Sequence, residues 1–242
     1  MAHIILTGAT GQAGSAVLAY ALSSPAVSRV SLLSRRPVKL AESSPKANVI
    51  IHSDFSSYPE AILDQLRGAT ACIWAQGISS QGMSEDEYTR ITLDYPVAAA
   101  KAFAGLAERM NFVYFSGEGG DMEEKASTMF GRIKGRAESR LLALQKDGEY
   151  PSLRVYNIRP AIINPQGNYL AERSVTLHDR ASTWVGGLAS VVWKSFVIPS
   201  DKLAKACTDL AVGDGEAVPA GEGVEADGRL LRNTALRRLA GL

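Results

Sequence analysis

A glycine-rich loop near the start of the chain constrains the fold more than any other stretch of the sequence. The apolar run HIILT (3–7) leads directly into TGATGQAG (7–14), and GSAVLAYALSS (14–24) continues with apolar residues at helical spacing. Glycine permits a tight turn between a strand and a helix and lets the backbone approach a ligand closely. The order strand, glycine turn, helix predicts the first unit of an open α/β sheet.

Short apolar runs alternate with helical patterns as far as about residue 160. The runs are near-continuous in Val, Ile and Leu, which is typical of strands buried on both faces. The predicted strands are 3–7, 29–34, 48–54, 70–75, 111–116 and 152–160, and the predicted helices include 14–24, 58–66 and 84–110, the last with a kink near Pro96. Alternation of this kind predicts a doubly wound, mostly parallel α/β sheet with helices on both faces.

The length of 242 residues fits one domain, 1–242, in which residues 161–242 contribute a substrate pocket and C-terminal helices. Residues 201–212 have the apolar spacing of a helix that docks on the sheet. The Gly- and acid-rich stretch 213–228 predicts a mobile loop before a basic final helix.

Composition excludes several classes of partner. A net charge of +1 gives no electrostatic reason to expect nucleic acid or a membrane surface. Neither a secretory signal nor a membrane-spanning run is present, which predicts a cytosolic protein. Cys72 and Cys207 lie in apolar surroundings and are expected to be buried, reduced thiols. The spacing of His3, His52 and His178 does not suggest a metal site.

The glycine loop predicts a site for a dinucleotide. A helix N-terminus offers free N–H groups and the positive end of its dipole to a pyrophosphate. The loop residues expected at the cofactor are Gly8, Thr10, Gly11, Gln12, Ala13 and Gly14.

The end of the second strand indicates which dinucleotide binds. An acidic residue there would bind the ribose 2′-hydroxyl of NAD, but this chain has Ser34, Arg35 and Arg36. A hydroxyl and two guanidiniums suit a 2′-phosphate, so the sequence predicts NADP(H). One of the two arginines can instead belong to a solvated basic loop.

Two further stretches belong at the same edge of the sheet. Asp54 and Phe55 follow the third strand, where an acid can accept a hydrogen bond from the adenine amine; Asp54 can alternatively cap the next helix. Ala75, Gln76 and Gly77 follow the fourth strand, where small residues let the backbone pass under the ribose.

The motifs TGATGQAG, SRR, DF and AQG, with Lys134 on the helix after the fifth strand, resemble the short-chain dehydrogenase/reductase superfamily. Within it the chain is similar to the atypical branch with NmrA-like and TIP30-like proteins. The resemblance covers about residues 1–165. It implies a Rossmann-type fold, and a Ser-Tyr-Lys site in which tyrosine moves a proton, lysine binds the nicotinamide ribose and serine polarises the substrate.

The resemblance also shows where this chain departs from the family. The family tyrosine precedes the lysine by four residues, and that position holds Phe130. The serine position best fits Gly117, with Ser116 as its neighbour at the cofactor. Lys134 keeps its implied ribose-binding role. Tyr114, in a buried strand, and Tyr150, beyond the helix, are not expected to transfer protons.

Other polar groups are candidates for the missing acid. Glu118 and Asp121 follow the fifth strand, where the resemblance places the substrate, so they are assigned with Lys134 as catalytic candidates. The alternatives for both are a solvated loop or, for Asp121, a helix cap. Arg132 is expected to face outward, because it lies two residues before Lys134 on the same helix.

The remaining predicted contacts lie late in the chain. Pro160, Ala161 and Ile162 match the family turn that contacts the nicotinamide amide, and a plain strand-ending turn is the alternative. Gly117, Phe130 and Trp184 are assigned to the substrate pocket, although a tryptophan often serves only packing. His178 is the remaining acid candidate, and simple exposure is its alternative.

These residues predict an NADPH-dependent reductase that works without a tyrosine acid on a small molecule such as an iminium or an activated enone. A cyclase or isomerase of a natural-product pathway and a non-catalytic NADP(H) sensor remain as alternatives. Either a monomer or a homodimer is compatible with the sequence. If Phe130 holds the tyrosine position, Phe130→Tyr is expected to raise carbonyl-reductase activity.

Overall fold

The structure, a computed structural model, describes residues 1–166 and 194–242. Within this part of the chain, eight strands form one sheet in the spatial order β3-β2-β1-β4-β5-β6-β10-β9, and β7 pairs with β8 in a separate two-stranded sheet. The strands are β1 Ala2–Thr7, β2 Val27–Ser34, β3 Ala47–Ile51, β4 Ala71–Trp74, β5 Met110–Phe115, β6 Leu153–Arg159, β7 Ile162–Asn164, β8 Val197–Pro199, β9 Val224–Glu225 and β10 Leu230–Arg232.

Helices cover both faces of the large sheet. Those in the described part of the chain are α1 Gln12–Ser23, α2 Lys39–Glu42, α3 Glu60–Leu66, α4 Glu85–Thr89, α5 Tyr95–Ala104, α6 Met129–Lys146, α7 Ser200–Val212 and α8 Asn233–Leu239. None of them combines the length and apolar character needed to cross a bilayer. A π-helical turn, Arg90–Asp94, stands between α4 and α5, immediately before Pro96, where the sequence predicts a kink.

The strand order places a crevice where the direction of the crossovers reverses. β1 pairs in parallel with β2 on one side and with β4 on the other, so the chain winds outward from β1 in both directions. Open α/β sheets bind ligands at the carboxyl ends of the strands at such a point. The predicted doubly wound, mostly parallel fold is confirmed.

Apolar residues of each strand divide between two cores, one on each face of the sheet. Along β1, Ile4 and Leu6 pack on the face covered by α1 and α7, and Ile5 packs on the face covered by α5 and α6. Cys72 and Cys207 are fully buried, and burial raises the pKa of both thiols. The prediction of buried cysteines is confirmed.

The segment 213–228, predicted as a loop before a final helix, is mostly loop, but it also holds the two-residue strand β9 and leads into β10. β10 pairs in parallel with β6, and β9 pairs antiparallel with β10. The strands are two and three residues long, too short to give a periodic apolar signal. Gly223 and Gly228 adopt positive φ angles of 73° and 83°, which permit the tight turns around β9.

His3, on β1, is buried and makes a 2.9 Å hydrogen bond between its Nε2 and Ser31 Oγ. Burial, with a smaller effect from the nearby Arg29, lowers the His3 pKa to about 4 from 6.5. In the unfolded chain the imidazole accepts a proton near pH 6.5, whereas in the folded chain it does so only near pH 4. The unfolded state therefore binds more protons in this window.

We expect the free energy of unfolding to fall as the pH is lowered from about 6.5 to about 4, with His3 contributing on the order of 2 kcal/mol of the loss. Urea unfolding of wild type and His3→Gln at several pH values across this range measures this change in the free energy of unfolding. The variant should show a shallower pH dependence. Identical pH dependence in both proteins would exclude a buried neutral His3 as the cause.

Candidate functional site

The glycine loop brings the end of β1 against the end of β4. Gly8 has a φ of 70°, and a Cβ added there would lie 2.4 Å from the carbonyl oxygen of Ala75. A Cβ on Gly14 would lie 2.1 Å from Gly8 O, so glycine is required for α1 to pack on the loop. Gly11, the N-cap of α1, provides no side-chain cap. The N–H groups of the first turn are thus left for an anion.

A cavity of about 250 Å³ opens above this loop. It is lined by Gly8, Ala9, Thr10, Gly11, Leu33, Ser34, Arg35, Arg36, Phe55, Ala75, Gln76 and Gly77. The structure therefore brings together most of the residues predicted from the loops after β1, β2, β3 and β4. Ala9 and Leu33 are additional lining residues that the sequence reasoning missed, because apolar residues carry no ligand signal.

The loop after β2 presents two free cations to this cavity. Arg35 and Arg36 are exposed, and neither guanidinium has an acidic or hydrogen-bonding partner among residues 1–166 and 194–242. The Ser34 hydroxyl instead donates to the Arg36 carbonyl at 2.7 Å and so shapes the turn. Unpaired guanidiniums at the mouth of a cavity are suited to bind a phosphate.

Asp54 is not among the residues that line the cavity, and its predicted contact with adenine stays a prediction. Its carboxylate accepts hydrogen bonds from Ser56 N at 3.0 Å and Ser57 Oγ at 2.9 Å. The Ser56 hydroxyl is the main cause of a lowered Asp54 pKa. Pro59, not Asp54, is the N-cap of α3. Only the neighbouring Phe55 reaches the cavity, through a ring that is almost fully buried.

The rest of the glycine loop supports the cavity from outside its lining. Gln12 Nε2 donates to the carbonyl of Ile163 at 2.9 Å and so joins the start of α1 to β7. Ala13 and Gly14 pack inside. Gln12, Ala13 and Gly14 therefore hold the loop in place, and the direct cofactor contact predicted for them stays a prediction.

A second cavity, of about 620 Å³, lies at the carboxyl ends of β5 and β6. It is lined by Phe115, Ser116, Gly117, Glu118, Gly119, Phe130, Pro160, Ala161, Ile163, Phe196 and Arg232. The predicted pocket residues Gly117 and Phe130 and the predicted nicotinamide turn, except Ile162, meet here. Trp184 and His178 lie outside the described residues.

In the wall of this cavity, the ring of Phe130 occupies the space that a side chain at position 117 would need. A Cβ on Gly117 would lie 2.9 Å from Phe130 Cζ and 3.8 and 3.9 Å from its two Cε atoms. The ring therefore points its tip at the position that a side chain of residue 117 would occupy. A phenol oxygen on residue 130 would press against Gly117 instead of opening into the cavity. This geometry limits the gain in activity expected from Phe130→Tyr, and the expected gain itself stays a prediction.

Ser116 does not replace the missing hydroxyls. Its Oγ is shielded from solvent and has no hydrogen-bond partner among the described residues. It lies on the Gly120 side of the loop, since a Cβ on Gly120 would be 3.2 Å from it. Within the described lining, the cavity thus receives neither a phenol nor an accessible hydroxyl.

Lys134 stands directly beneath the end of β5. Its ammonium donates to the carbonyl of Phe115 at 2.7 Å and lies 4.8 Å from the centre of the Tyr114 ring. Burial lowers the Lys134 pKa to about 8, and the charge of Glu138 opposes this shift. The Tyr114 hydroxyl donates to the carbonyl of Thr92 at 2.8 Å, and burial raises the Tyr114 pKa well above its usual value. Tyr114 is therefore a core residue, as expected.

A buried ion pair that the sequence reasoning missed lies behind the loop after β5. Arg159 Nε and Nη2 donate to the two carboxylate oxygens of Glu138 at 2.8 and 2.5 Å. A Cβ on Gly120 would be 3.1 Å from Glu138 Oε1, so the loop rests on this pair. The sequence feature that could have indicated Glu138 is helical spacing. Glu138 follows Lys134 by four residues and therefore lies on the same face of the helix.

Glu118 lines the cavity in an ion pair with Arg232. Arg232 Nη2 lies 2.7 Å from Glu118 Oε2, and the backbone N–H of Asn233 donates to Oε1 at 3.1 Å. Both carboxylate oxygens are thus occupied as acceptors. Arg232 and Asn233 were missed because the sequence placed them only in a basic terminal helix.

Asp121 is not brought into the cavity lining. Its carboxylate accepts from the backbone N–H groups of Glu123 and Lys125 at 3.0 and 2.8 Å, which closes a turn. The N-cap of α6 is Thr128, whose Oγ1 accepts from Gly131 N. A catalytic role for Asp121 therefore has no geometric support. Arg132 pairs with Glu85 at 2.9 Å on the outside of α6, as helical rotation predicts.

Comparison with known proteins identifies relatives in fungi. The chain is 33% identical to Leucinostatins biosynthesis cluster protein T of Purpureocillium lilacinum, over 97% of this chain and 94% of that protein. It is 31% identical to Botcinic acid biosynthesis cluster B protein 16 of Botryotinia fuckeliana, over 60% of this chain and 97% of that protein. It is 28% identical to Protein fmp52, mitochondrial, of Emericella nidulans, over 91% and 92% of the two chains. No protein-family model matches the chain.

Solved structures with the same fold include short-chain dehydrogenases/reductases. One from Saccharomyces cerevisiae has a TM-score of 0.65 at 13% identity and covers 99% of both chains. The enzyme WbmF of Bordetella bronchiseptica, solved in complex with NAD+, has a TM-score of 0.65 at 13% identity, over 99% of this chain and 76% of that one. These identities establish the fold.

Gly117→Ala is expected to lower the free energy of unfolding by about 1–3 kcal/mol, because its methyl group collides with the tip of Phe130. Chemical denaturation of Gly117→Ala, Phe130→Leu and the double variant measures the coupling. The loss of stability caused by Gly117→Ala should be smaller when Phe130→Leu is also present. Gly105→Ala is the matched control, since a Cβ there meets no atom of the described residues within 4 Å. Additive effects of the two substitutions would argue against the steric contact.

Proposed function

We propose that this chain, which belongs to the family of Leucinostatins biosynthesis cluster protein T, is an NADPH-dependent reductase. Its substrate would be a small molecule of a secondary-metabolite pathway. The observation that carries the proposal is the pairing of two cavities. One has a glycine cradle and two arginines without a partner among the described residues, and the other has an apolar wall whose described residues provide no accessible hydroxyl. The biosynthesis-cluster names of two relatives support the pathway assignment.

The first cavity fits the adenosine 2′-phosphate and pyrophosphate of NADPH. Gly8, Thr10 and Gly11 would hold the pyrophosphate at the start of α1. Arg35 and Arg36 would hold the 2′-phosphate, because neither guanidinium is paired within the part of the chain that the structure describes. The NAD+ complex of WbmF supports a nicotinamide dinucleotide on this fold, and the preference for the phosphorylated form rests on the two arginines.

The second cavity suits a substrate that accepts a hydride without a proton from a tyrosine. When bound, NADPH supplies that hydride. Phe115 and Phe130 would pack against the substrate and exclude water, while the Glu118–Arg232 pair provides the charged edge of the cavity. Lys134, beneath Phe115, would place its charge near the nicotinamide ribose. An iminium ion or an activated enone satisfies these conditions.

A cyclase or isomerase is the second candidate, because a largely apolar cavity whose described lining has no accessible hydroxyl can also orient a reactive substrate without redox chemistry. The two candidates differ in a simple assay. A reductase oxidises NADPH in step with product, whereas a cyclase forms product without net NADPH consumption. The third candidate, a sensor, binds NADPH and forms no product.

Titration calorimetry with NADPH and NADH tests the cofactor assignment. Arg35→Ala and Arg36→Ala are each expected to weaken NADPH binding roughly tenfold to a hundredfold and to leave NADH binding within about twofold. Arg67→Ala is the control, since Arg67 is an exposed arginine paired with Glu60 and Asp64. Equal affinity of the wild type for both cofactors would exclude the NADP assignment, and binding of neither would exclude the reductase.

Phe130→Tyr is expected to raise the rate of simple ketone reduction by less than about tenfold, although a positioned acid can contribute ~10²–10⁴-fold. The reason is that the ring tip faces Gly117. Steady-state rates with simple aldehydes and ketones in both proteins measure this. A wild type that already reduces them at ordinary rates would mean that another acid is present, which contradicts the proposed chemistry.

We propose a cytosolic monomer or homodimer, as the sequence predicts. The fmp52 relative is named as a mitochondrial protein, so the mitochondrion is the alternative location for this chain. Fractionation of cells that express the tagged chain distinguishes the two compartments, and light scattering measures the oligomeric state.

A further inference from the structure

Asn233 links three segments that border the second cavity. It is the first residue of α8 and only 2% exposed. Its Oδ1 accepts from the backbone N–H of Ala161 at 3.1 Å, and its Nδ2 donates to the carbonyl of Ser195 at 2.7 Å. Its own backbone N–H donates to Glu118 Oε1 at 3.1 Å. One side chain and one N–H thus reach all three segments.

These three contacts fall on the parts of the chain that shape the cavity. Ala161 belongs to the turn after β6, Glu118 to the loop after β5, and Ser195 immediately precedes Phe196. The Glu118 backbone N–H also donates to the carbonyl of Pro160 at 3.1 Å, which is a direct hydrogen bond between the loop and the turn. The positions of the turn and of the loop therefore depend on each other and on Asn233.

The amide of Asn233 is the side chain that satisfies both partners. It offers one acceptor to Ala161 N and one donor to Ser195 O, whereas aspartate would lack the donor and leucine would lack both. Removal of a partner from a buried hydrogen bond leaves an unsatisfied backbone group, which costs more than the bond itself contributes. The turn would then be free to move toward other partners.

We propose that Asn233 is a positioning residue for the nicotinamide end of the cofactor: through Ala161 it fixes the turn 160–162 against which the nicotinamide lies. This inference rests on the proposed function, since it assigns the turn to a nicotinamide. Asn233 itself does not line the cavity and acts only through the backbone that it holds. The adenosine cavity contains neither the turn nor Asn233.

Two ligands separate the two ends of the cofactor site. NADPH reaches both cavities, whereas adenosine 2′,5′-bisphosphate has no nicotinamide and reports on the first cavity alone. In Asn233→Leu we expect NADPH to bind roughly tenfold more weakly and the bisphosphate to bind within about twofold of wild type. Asn233→Asp keeps the acceptor for Ala161 N and is expected to bind NADPH more tightly than Asn233→Leu.

Asn111→Ala is the matched control. Asn111 is equally buried, and its amide donates to the carbonyls of Ala211 and Gly213 at 2.9 and 3.0 Å, at the opposite edge of the sheet. It should lose stability without losing affinity for either ligand. The inference is overturned if Asn233→Leu binds NADPH as wild type does, if it loses both ligands equally, or if Asn233→Asp binds NADPH no more tightly than Asn233→Leu. Wild type that binds the bisphosphate but not NADPH would overturn the proposed function instead.

Discussion

The buried ion pair between Glu138 and Arg159 is the interaction on which the second cavity depends. It joins α6 to the end of β6 with two parallel hydrogen bonds, and the loop after β5 rests on it at Gly120. Desolvation of two charges is costly, and the forked geometry offsets this cost only while both partners are present. Loss of one partner would leave the other buried charge without its hydrogen-bonded counterion, at a cost of about 3–5 kcal/mol.

The same pair sets the electrostatic environment of Lys134. The ammonium and the Glu138 carboxylate lie on one face of α6, and the carboxylate partly offsets the effect of burial on the lysine pKa. Arg159 in turn approaches Glu225 at 3.9 Å, and Glu225 lies 3.6 Å from Arg232, the partner of Glu118. Alternating charges therefore run from the core beneath the cavity to its rim, and each one reduces the cost of desolvating the next.

The sequence predicted those features that depend on residues close together in the chain. The sheet, the glycine loop and the cavity above it follow from short runs in which strand, turn and helix succeed one another, and Gly8 or Arg35 is recognisable from its immediate neighbours. Ser56, two residues after Asp54, offers the Asp54 carboxylate a local hydrogen bond that competes with a ligand. A local competitor of this kind is invisible in a family motif.

The second cavity was predicted less completely because distant segments build it. Glu118 and Arg232 are 114 residues apart in sequence, and neither has a feature that indicates the other. Asn233 carries no family motif, and its importance follows only from which backbone groups lie beside it. The short strands β9 and β10 bring it there, and their length gives no periodic signal.

The contact between Gly117 and Phe130 has a consequence for how this cavity can change over evolutionary time. The two positions share one volume, so the effect of a substitution at either depends on the residue at the other, which is epistasis in a physical form. A serine at position 117 is expected to cost less stability once position 130 is smaller, and a larger residue at 130 to cost less while 117 is glycine. In a lineage with this pair, a serine–tyrosine dyad therefore requires a shift of the ring at position 130 or of the loop, in addition to the two substitutions.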